Sequence, residues 1–169
     1  MKACKEILPE ELNENIFNLI GKKQMLIISK DPKKDSGVNA MTASWGCAGI
    51  LWGKPVCMVF IRPQRYSLPL VEQSEYISLC FPKDNNRNAL GYCGSRSGRD
   101  EDKIKNLSLH VCEHESTPYI EESDIVFICK ILYSDSLKKE NFKDNSPLSA
   151  YAANDFHKFF VCEIQKVLQ

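Results

Sequence analysis

The sequence predicts a mainly β domain, a barrel or a sandwich, with few helices. Five short segments are rich in β-branched and aromatic residues and are bounded by Pro, Gly, Asp and Asn, which is typical of strands. They are QMLIISK, KPVCMVFI, YISLCF, SDIVFICKIL and KFFVCEIQKV. Helical patterns do not alternate with them, so a parallel sheet of βαβ units is disfavoured. The 169 residues most simply form one domain, residues 1–169, which is long enough to bury a sizeable core.

The segments between these strands predict two short helices and two long connections. Residues 9–23 carry apolar side chains at helical spacing, which predicts an amphipathic N-terminal helix. Two polar connections span residues 82–103 and 133–155, and the first is expected to hold a short helix near residues 86–93. Because binding residues concentrate on long loops of this kind, a ligand site is expected there.

Charge and hydropathy exclude several classes of protein. The 22 Lys and Arg residues balance the 22 Asp and Glu residues, so no overall positive field attracts a nucleic acid or an anionic bilayer. The longest apolar run, Val56–Ile61, is far shorter than the ~20 residues of a membrane span. The first residues lack the apolar region of a signal peptide. We therefore expect a cytoplasmic protein that contacts neither nucleic acid nor membrane.

The eight cysteines include no C-x-x-C pair. Because most lie in apolar segments without a secretory signal, we expect buried, reduced thiols rather than disulfides. His110, Cys112 and His114 alternate, and on a strand they share one face and offer metal-ligand chemistry. No fourth ligand is evident nearby, so a solvated surface strand is favoured and no metal is expected.

A phosphate receptor is indicated after the strand that ends at residue 61. Pro63 biases Arg62 toward an extended backbone, and Arg65 follows, so two guanidinium groups lie at the end of this strand. Ser67 is expected to be the N-cap of a helix that begins in LPLVEQ. Two guanidinium groups, a hydroxyl and a helix N-terminus suit a phosphate. A solvated surface turn with incidental arginines is the open alternative.

The segment NAMTASWGC before this strand indicates a site for a flat polar ring. Its small residues let backbone amides approach the edge of such a ring. Trp45 offers an aromatic wall, although a core tryptophan is the alternative. The polar members are Asn39, Thr42 and Ser44, and the small members are Ala40, Ala43 and Gly46.

Together these motifs resemble the flavin reductase-like family of FMN-binding split-barrel proteins. The family pattern of Asn, Met-Thr-Ala-Ser-Trp, a buried strand and Arg-Pro-x-Arg-Tyr-Ser/Thr is similar to residues 39–67. The family's Ser-Gly-Arg-Asp-x-Asp-Lys segment resembles residues 94–105, and its closing His before a strand resembles residues 155–164. Cys162 stands where the family usually has a glycine in this last strand.

The resemblance implies a split antiparallel β-barrel of Greek-key type with a few short peripheral helices. It also implies a homodimer with FMN near the subunit interface. The segment around Ser97 otherwise suits a solvated charged loop. The resemblance implies that the ring and ribityl chain are held by Asn39, Thr42, Ala43, Ser44 and Trp45. It implies that the phosphate is held by Arg62, Arg65 and Ser67. It also implies that the segment that closes over the cofactor contributes Ser97, Arg99 and Lys103.

The activity that the resemblance implies is that of an NAD(P)H-dependent flavin oxidoreductase. NADH or NADPH would be the reductant, and hydride would pass through FMN to free flavin or to a small acceptor. The alternatives are a flavoredoxin-like FMN electron carrier that serves a protein redox partner, and a non-redox FMN-binding module. His157 is the candidate catalytic residue facing the nicotinamide, and a structural histidine at a strand start is its open alternative.

Overall fold

The computed structural model describes residues 5–169 and contains a long antiparallel sheet and a small hairpin. The sheet has the order β3-β2-β6-β9-β10-β5-β4, with β1 added beside the end of β10, while β7 and β8 form the hairpin. The strands are β1 (Glu6–Ile7), β2 (Met25–Lys30), β3 (Val38–Ala43), β4 (Gly46–Leu51), β5 (Lys54–Ile61), β6 (Tyr76–Pro82), β7 (Val111–His114), β8 (Thr117–Ile120), β9 (Ser123–Ser136) and β10 (Lys158–Leu168).

The sheet curls into a split barrel. Its two edge strands, β3 and β4, are consecutive in the chain, with only Ser44 and Trp45 between them. Because so short a link cannot cross a flat sheet of this width, the two edges must come together at this corner. The edges are linked there by the chain and not by a hydrogen-bonded ladder. The predicted mainly β fold is confirmed.

The helices are short. They are α1 (Ile16–Asn18), which continues as a π-helical turn at Leu19–Lys23, α2 (Ser67–Glu72), α3 (Asn88–Ser95) and α4 (Lys103–Asn106), with 3₁₀ turns at Pro9–Glu11, Asp84–Asn86, Lys139–Asn141 and Ser146–Tyr151. The predicted N-terminal helix is shorter than its apolar pattern, because the Asn15 side chain accepts the Asn18 N–H and starts the helix at Ile16. The helix predicted near residues 86–93 corresponds to α3.

Apolar side chains pack on both faces of the barrel wall. On β2, Met25 and Ile27 point into the barrel, where they join the interior cluster that includes Phe127. Leu26 and Ile28 point outward and pack against α3, α4 and β8. This two-sided burial explains why the apolar run of this strand is unbroken rather than alternating. The outer layer holds the loop after α3 against the open end of the barrel.

Candidate functional site

Two adjoining cavities open where β5 ends and β10 begins. The larger, here called the cationic lobe, has a volume of about 370 Å³, and the smaller, the aromatic lobe, about 130 Å³. Met41, Arg62 and Arg65 line both. The cationic lobe is also lined by Gln64, Tyr66, Ser67, Cys93, Ser95, Arg96, Ser97, Gly98, Arg99, Lys103 and Asp155, and the aromatic lobe by Thr42, Ala43, Ser44, Trp45, Phe60 and His157. Every residue predicted for the site except Asn39 therefore lines one of the two lobes.

Two arginines of the cationic lobe connect its two loops. Arg65, on the turn after β5, donates from Nη1 to the Gly94 carbonyl oxygen at 3.2 Å. Arg99, on the loop after α3, donates back from Nη1 to the Gln64 carbonyl oxygen at 3.1 Å. Within residues 5–169, neither guanidinium group has a carboxylate within ion-pairing distance. The wall of this lobe therefore carries the positive charge of Arg65 and Arg99 without an ion-pair partner among residues 5–169.

Lys103 adds a buried positive charge to the cationic lobe. The residue is only 5% exposed. Its Nζ donates to the carbonyl oxygens of Cys93 and Arg96, both at 3.3 Å. Burial lowers the pKa of this ammonium, with a smaller contribution from the charge of Arg65. An ammonium group held only by neutral carbonyls is well placed to gain an anionic partner.

Ser67 lies at the base of the cationic lobe and is held by Asn39. The Asn39 Nδ2 group donates to Ser67 Oγ at 2.8 Å, and both residues are buried. The prediction that Ser67 is an N-cap is wrong, since α2 begins at Ser67 itself and Tyr66 is the N-cap residue. The Ser67 hydroxyl makes this tertiary contact instead of a capping bond. Asn39 lies one layer behind the cavity wall and positions Ser67.

Gly98 allows the loop after α3 to close against this base. A Cβ atom at position 98 would lie 2.3 Å from Asn39 Oδ1 and 2.7 Å from Tyr66 Cδ1. Real Cβ atoms do not approach other heavy atoms so closely, so only glycine fits this position without displacing its neighbours. The glycine thereby places Ser97 and Arg99 in the wall of the lobe.

The aromatic lobe forms at the corner between β3 and β4. Trp45 is 46% exposed, so it is a wall of the cavity and not a core residue. Its ring centroid lies 4.9 Å from that of His157, and the Phe60 ring lies 6.4 Å from the same imidazole. Thr42 Oγ1 donates to the Leu90 carbonyl oxygen at 2.6 Å and so joins this corner to α3. The result is a small cleft in which flat aromatic side chains lie beside polar and charged ones.

His157 is buried beneath this lobe and is neutral near pH 7. It is 6% exposed, and its Nδ1 atom lies 2.9 Å from Tyr151 Oη. Burial, and then the positive charge of Arg62, lower its pKa to about 4. A neutral imidazole whose Nδ1 is engaged by Tyr151 has Nε2 available for a second hydrogen bond.

Arg62 lies between the two lobes, and its charge is paired. Its Nη1 forms an ion pair with the Asp155 carboxylate, and its Nη2 donates to the Ala150 carbonyl oxygen at 2.9 Å. Gln64 Nε2 also donates to Asp155, at 2.8 Å. The hydrogen bonds from Gln64 and from Arg62 hold the pKa of Asp155 below its usual range. Arg62 therefore differs in its partners from Arg65 and Arg99.

Sequence reasoning did not identify several residues of the site. Asp155 and Tyr151 lie in a polar connection far from Arg62 in the chain, and only the fold brings them together. Tyr66 is another such residue, and its hydroxyl donates to Asp31 Oδ2 at 2.9 Å. The Arg99 guanidinium group lies over its ring, with Cζ 5.7 Å from the ring centroid. A signal for Tyr66 was present, since it lies between the predicted Arg65 and Ser67.

The alternating histidine segment is engaged in ion pairs. His110 Nδ1 lies 2.6 Å from Glu122 Oε1, and His114 Nε2 lies 3.1 Å from Glu6 Oε2. Over the described part of the chain, no group of three or more His, Cys, Asp or Glu residues is arranged to hold a metal ion. That the protein holds no metal stays a prediction.

The cysteines of residues 5–169 are free thiols in the structure, and most of them are buried. The exceptions are Cys47, which is exposed, and Cys112, which is half-buried. Cys4 lies outside the described residues. Cys162 Sγ, at the position where the family usually has glycine, is buried beside Cys57 Sγ in the barrel interior. The buried thiols lie in the two core clusters and away from both lobes, except Cys93, which lines the cationic lobe.

Comparisons with known proteins identify the class to which this barrel and its two-lobed cavity belong. The model of the flavin reductase like domain matches residues 19–169. The chain therefore belongs to the flavin reductase-like family, and its fold is the FMN-binding split barrel of that family. No match was found among curated proteins. Within residues 5–169, no helix is long and apolar enough to cross a membrane.

Solved structures of several organisms share this fold at low sequence identity. An FMN-binding protein of Thermus thermophilus with bound p-hydroxybenzaldehyde has a TM-score of 0.64 and 21% identity, covering 85% of this chain and 69% of that one. The flavoredoxin of Desulfovibrio vulgaris (Miyazaki F) has a TM-score of 0.64 and 22% identity, covering 85% and 67%. A split-barrel protein of Shewanella frigidimarina NCIMB 400 has a TM-score of 0.66 and 16% identity, covering 94% and 75%.

Proposed function

We propose that this protein binds FMN across the two lobes. The observation that carries the proposal is the set of three cations without a carboxylate partner, Arg65, Arg99 and Lys103, in a cavity that adjoins an aromatic cleft. FMN combines a dianionic phosphate with a flat ring, and each part suits one lobe. An FMN-binding protein and a flavoredoxin with the same fold support the assignment.

In this proposal the cationic lobe holds the phosphate. Arg65, Arg99 and Lys103 supply charge, while Ser67 and Ser97 supply hydroxyl donors. The corner from Thr42 to Trp45 holds the ring, and Asn39 acts through Ser67. Bound FMN would supply hydride and electron-transfer chemistry, while the protein would orient the ring and exclude water from one of its sides.

We further propose that the protein is an oxidoreductase that uses NADH or NADPH to reduce free flavin or a small acceptor. The half-exposed Trp45 and the neutral His157 leave room at the aromatic lobe for a second flat molecule. The FMN-binding protein of Thermus thermophilus has p-hydroxybenzaldehyde bound, and this small planar molecule on a protein of the same fold supports an acceptor of that kind. His157 would contact the nicotinamide or the acceptor through Nε2.

The second candidate function is that of an electron carrier for a protein redox partner. The similarity to the flavoredoxin of Desulfovibrio vulgaris favours it. The two functions differ in the source of electrons and not in the cavity, so the geometry of the lobes supports both. A cytoplasmic location remains part of either proposal and is testable by cell fractionation.

We also propose a homodimer, which the family resemblance implies. The exposed apolar side chains of Phe17, Ile50 and Trp52 offer a surface for a second copy, since they lie on α1 and on the hairpin of β4 and β5. Light scattering on the eluting peak of a size-exclusion column tests it. A mass of one chain at micromolar concentration contradicts the dimer without affecting the flavin proposal.

Flavin content tests the central proposal. Protein purified without added flavin should be yellow and should release FMN on denaturation, and apoprotein should quench FMN fluorescence on titration. A colourless protein that quenches neither FMN nor riboflavin fluorescence contradicts the proposal.

Anaerobic stopped-flow reduction separates the two candidate functions. Rapid bleaching of the flavin absorbance by NADH or NADPH identifies the oxidoreductase. Bleaching that begins only after a reduced redox protein is added identifies the carrier. Reduced ferredoxin-type and flavodoxin-type proteins are suitable probes, with dithionite as the control that the flavin is reducible.

A further inference from the structure

One loop contacts both lobes of the site, since its Asp155 lines the cationic lobe and its Tyr151 packs against His157 of the aromatic lobe. We call residues 138–156, between β9 and β10, the strap. Its base is closed by a backbone hydrogen bond of 2.9 Å from Leu137 N to the His157 carbonyl oxygen. Inside the strap, Phe142, Tyr151 and Phe156 pack on one another, with ring centroids 4.7 to 6.0 Å apart. The strap therefore has a small aromatic core of its own. Its attachment to the barrel comes from other side chains.

Arg62 provides that attachment at two points. Its Nη1 pairs with the Asp155 carboxylate and its Nη2 bonds the Ala150 carbonyl oxygen, so the guanidinium group brackets Tyr151. The Tyr151 ring centroid lies 5.4 Å from Arg62 Cζ, within cation–π range. Gln64 strengthens the same attachment through Asp155. Three separate contacts of one side chain thus hold the part of the strap that also bonds His157.

These contacts make the hydrogen-bond partners of Arg62 different from those of the other cations of the site. Both of its terminal nitrogens already bond to the strap, and its charge is matched by Asp155. Arg65 has a single neutral carbonyl partner among the described residues and no paired carboxylate. A phosphate that recruited Arg62 would have to share a charge already neutralised by Asp155, whereas one that recruited Arg65 would not.

We propose that Arg62 is a positioning residue that, with Asp155, ties the strap to the end of β5 and so sets the position of Tyr151 and His157 beside the aromatic lobe, while Arg65 carries the phosphate contact. This assigns Arg62 a part different from the phosphate role that the family resemblance implies. The statement about the phosphate rests on the proposed function. The tie itself does not, because it consists of contacts within the chain.

Limited proteolysis with trypsin tests the tie in the full chain without any ligand. The strap carries Lys138, Lys139 and Lys143 as cleavage sites. Arg62→Ala and Asp155→Asn should each speed up cleavage within the strap about tenfold or more, from the loss of roughly 1.5–3 kcal/mol of charge-assisted hydrogen bonding. The double variant should be no faster than the faster single variant, because the two residues act as a pair.

Glu163→Gln is the matched control for Asp155→Asn. Glu163 forms an ion pair of 2.6 Å with Lys54 that joins the same two strands, β5 and β10, at their other ends. Removing this carboxylate should leave the strap cleavage rate unchanged. Equal acceleration in the control would show general loosening of the barrel and would overturn the tie, as would unchanged cleavage or additive effects in the double variant.

The imidazole of His157 provides a readout that simple loss of stability would not move. Arg62, Arg65 and Asp155 are the charged groups that act on it, and Tyr151 bonds it. Arg62→Ala should raise its pKa from about 4 toward the ordinary value near 6.5, because both the burial maintained by the strap and the nearby charge are reduced, and Arg62→Lys, which keeps the charge but not the two-point contact, should raise it less. Histidine resonances followed by NMR over pH report both. An unchanged pKa in Arg62→Ala would contradict a role in setting His157.

A third experiment compares the affinities of the protein for FMN and for riboflavin, which lacks the phosphate. Arg65→Ala should lower the ratio of FMN to riboflavin affinity about ten- to a hundredfold, whereas Arg62→Ala should leave the ratio within about twofold. Fluorescence quenching on apoprotein measures both. A loss of the ratio in Arg62→Ala overturns the assignment of the phosphate contact to Arg65 and not to Arg62. If no variant and no wild-type protein binds either flavin, the proposed function fails while the proteolysis and NMR results still decide the tie.

Discussion

The cationic lobe and the aromatic lobe share a wall but differ in how their charges are matched. In the cationic lobe, Arg65, Arg99 and Lys103 have neutral carbonyl partners and no carboxylate among the described residues. In the aromatic lobe, the charge of Arg62 is matched by Asp155 and His157 is neutral, which leaves Arg65, on the wall shared with the cationic lobe, as the unmatched charge among its lining residues. The first lobe is therefore suited to an anion and the second to a flat neutral group.

This difference shows where binding free energy for each part of a flavin can come from. Unmatched charge around a cavity favours a phosphate, and most strongly at Lys103, because this ammonium group was desolvated when the chain folded whereas Arg65 and Arg99 stay exposed. Aromatic walls favour a ring through contact area and place little demand on charge. Substitutions in the cationic lobe should therefore change the phosphate-dependent part of the flavin affinity. Substitutions in the aromatic lobe should change the reduction of the flavin ring.

The largest effect is expected for Lys103→Met. Losing this ammonium should weaken FMN binding about ten- to a hundredfold and leave riboflavin binding nearly unchanged. The apoprotein should be as stable as wild type or more so, because a buried charge without a carboxylate partner costs free energy in the folded state. Flavin titration and thermal melting measure the two effects. The control is Lys105→Met, which replaces an exposed lysine two residues further along the chain.

A loss of affinity for both flavins in Lys103→Met would contradict the division between the lobes. A clear drop in the melting temperature of the apoprotein would contradict the interpretation of Lys103 as a costly buried charge.

Gly98→Ala should have the next largest effect. The added methyl group meets Asn39 and Tyr66, so the loop that carries Ser97 and Arg99 must move, at a cost of about 1–2 kcal/mol of unfolding free energy. FMN binding should weaken more than riboflavin binding, because the displaced residues line the cationic lobe. Urea unfolding and flavin titration measure these changes. Gly91→Ala, inside α3 with open space around it, should leave flavin binding unchanged and raise the unfolding free energy by up to about 1 kcal/mol, because alanine favours a helix over glycine.

The stability of the protein should fall between pH 6.5 and pH 4 through His157. Its folded pKa of about 4 lies below its unfolded value near 6.5, so the unfolded state binds the proton first. The contribution of neutral His157 to the unfolding free energy is therefore complete above pH 6.5. It is lost as the pH falls from 6.5 to 4, and the loss is on the order of 1–2 kcal/mol. Urea unfolding across pH measures it. An unchanged pH dependence in His157→Gln would assign the loss to other groups.

The smallest effect is expected for His157→Ala in the reduction of bound flavin. Flavin content should stay at the wild-type value, because the charge that holds the phosphate is in the other lobe. The rate of reduction by NADH or NADPH should fall about fivefold, from the loss of roughly 1 kcal/mol of hydrogen bonding to the second ligand. Stopped-flow absorbance measures it. Unchanged kinetics would indicate that His157 is a structural residue.

Elements with strong local signals were predicted correctly, and elements that depend on distant contacts were not. The five apolar strand predictions correspond to β2, β5, β6, β9 and β10. Strands β3 and β4 were not predicted as strands, because their small and polar residues lack the β-branched pattern. Their strand conformation is imposed by pairing with β2 and β5.

By itself the sequence determined the composition of the site. The segments 39–67, 94–105 and the histidine at 157 supplied nearly all the residues that line the two lobes, because cavity residues on loops keep a local pattern of charge, glycine and hydroxyl groups. It also determined the mainly β fold, since apolar strands bounded by turn residues are a local property.

Only the tertiary structure decided which charges are matched. Arg62 and Arg65 lie in the same short motif and are equivalent in a sequence pattern. The strap brings Asp155 to Arg62 across about ninety positions of chain, whereas no carboxylate of the described residues reaches Arg65. Ion pairing depends on distances of a few ångströms between side chains that are remote in the chain, and these distances exist only after the barrel has closed.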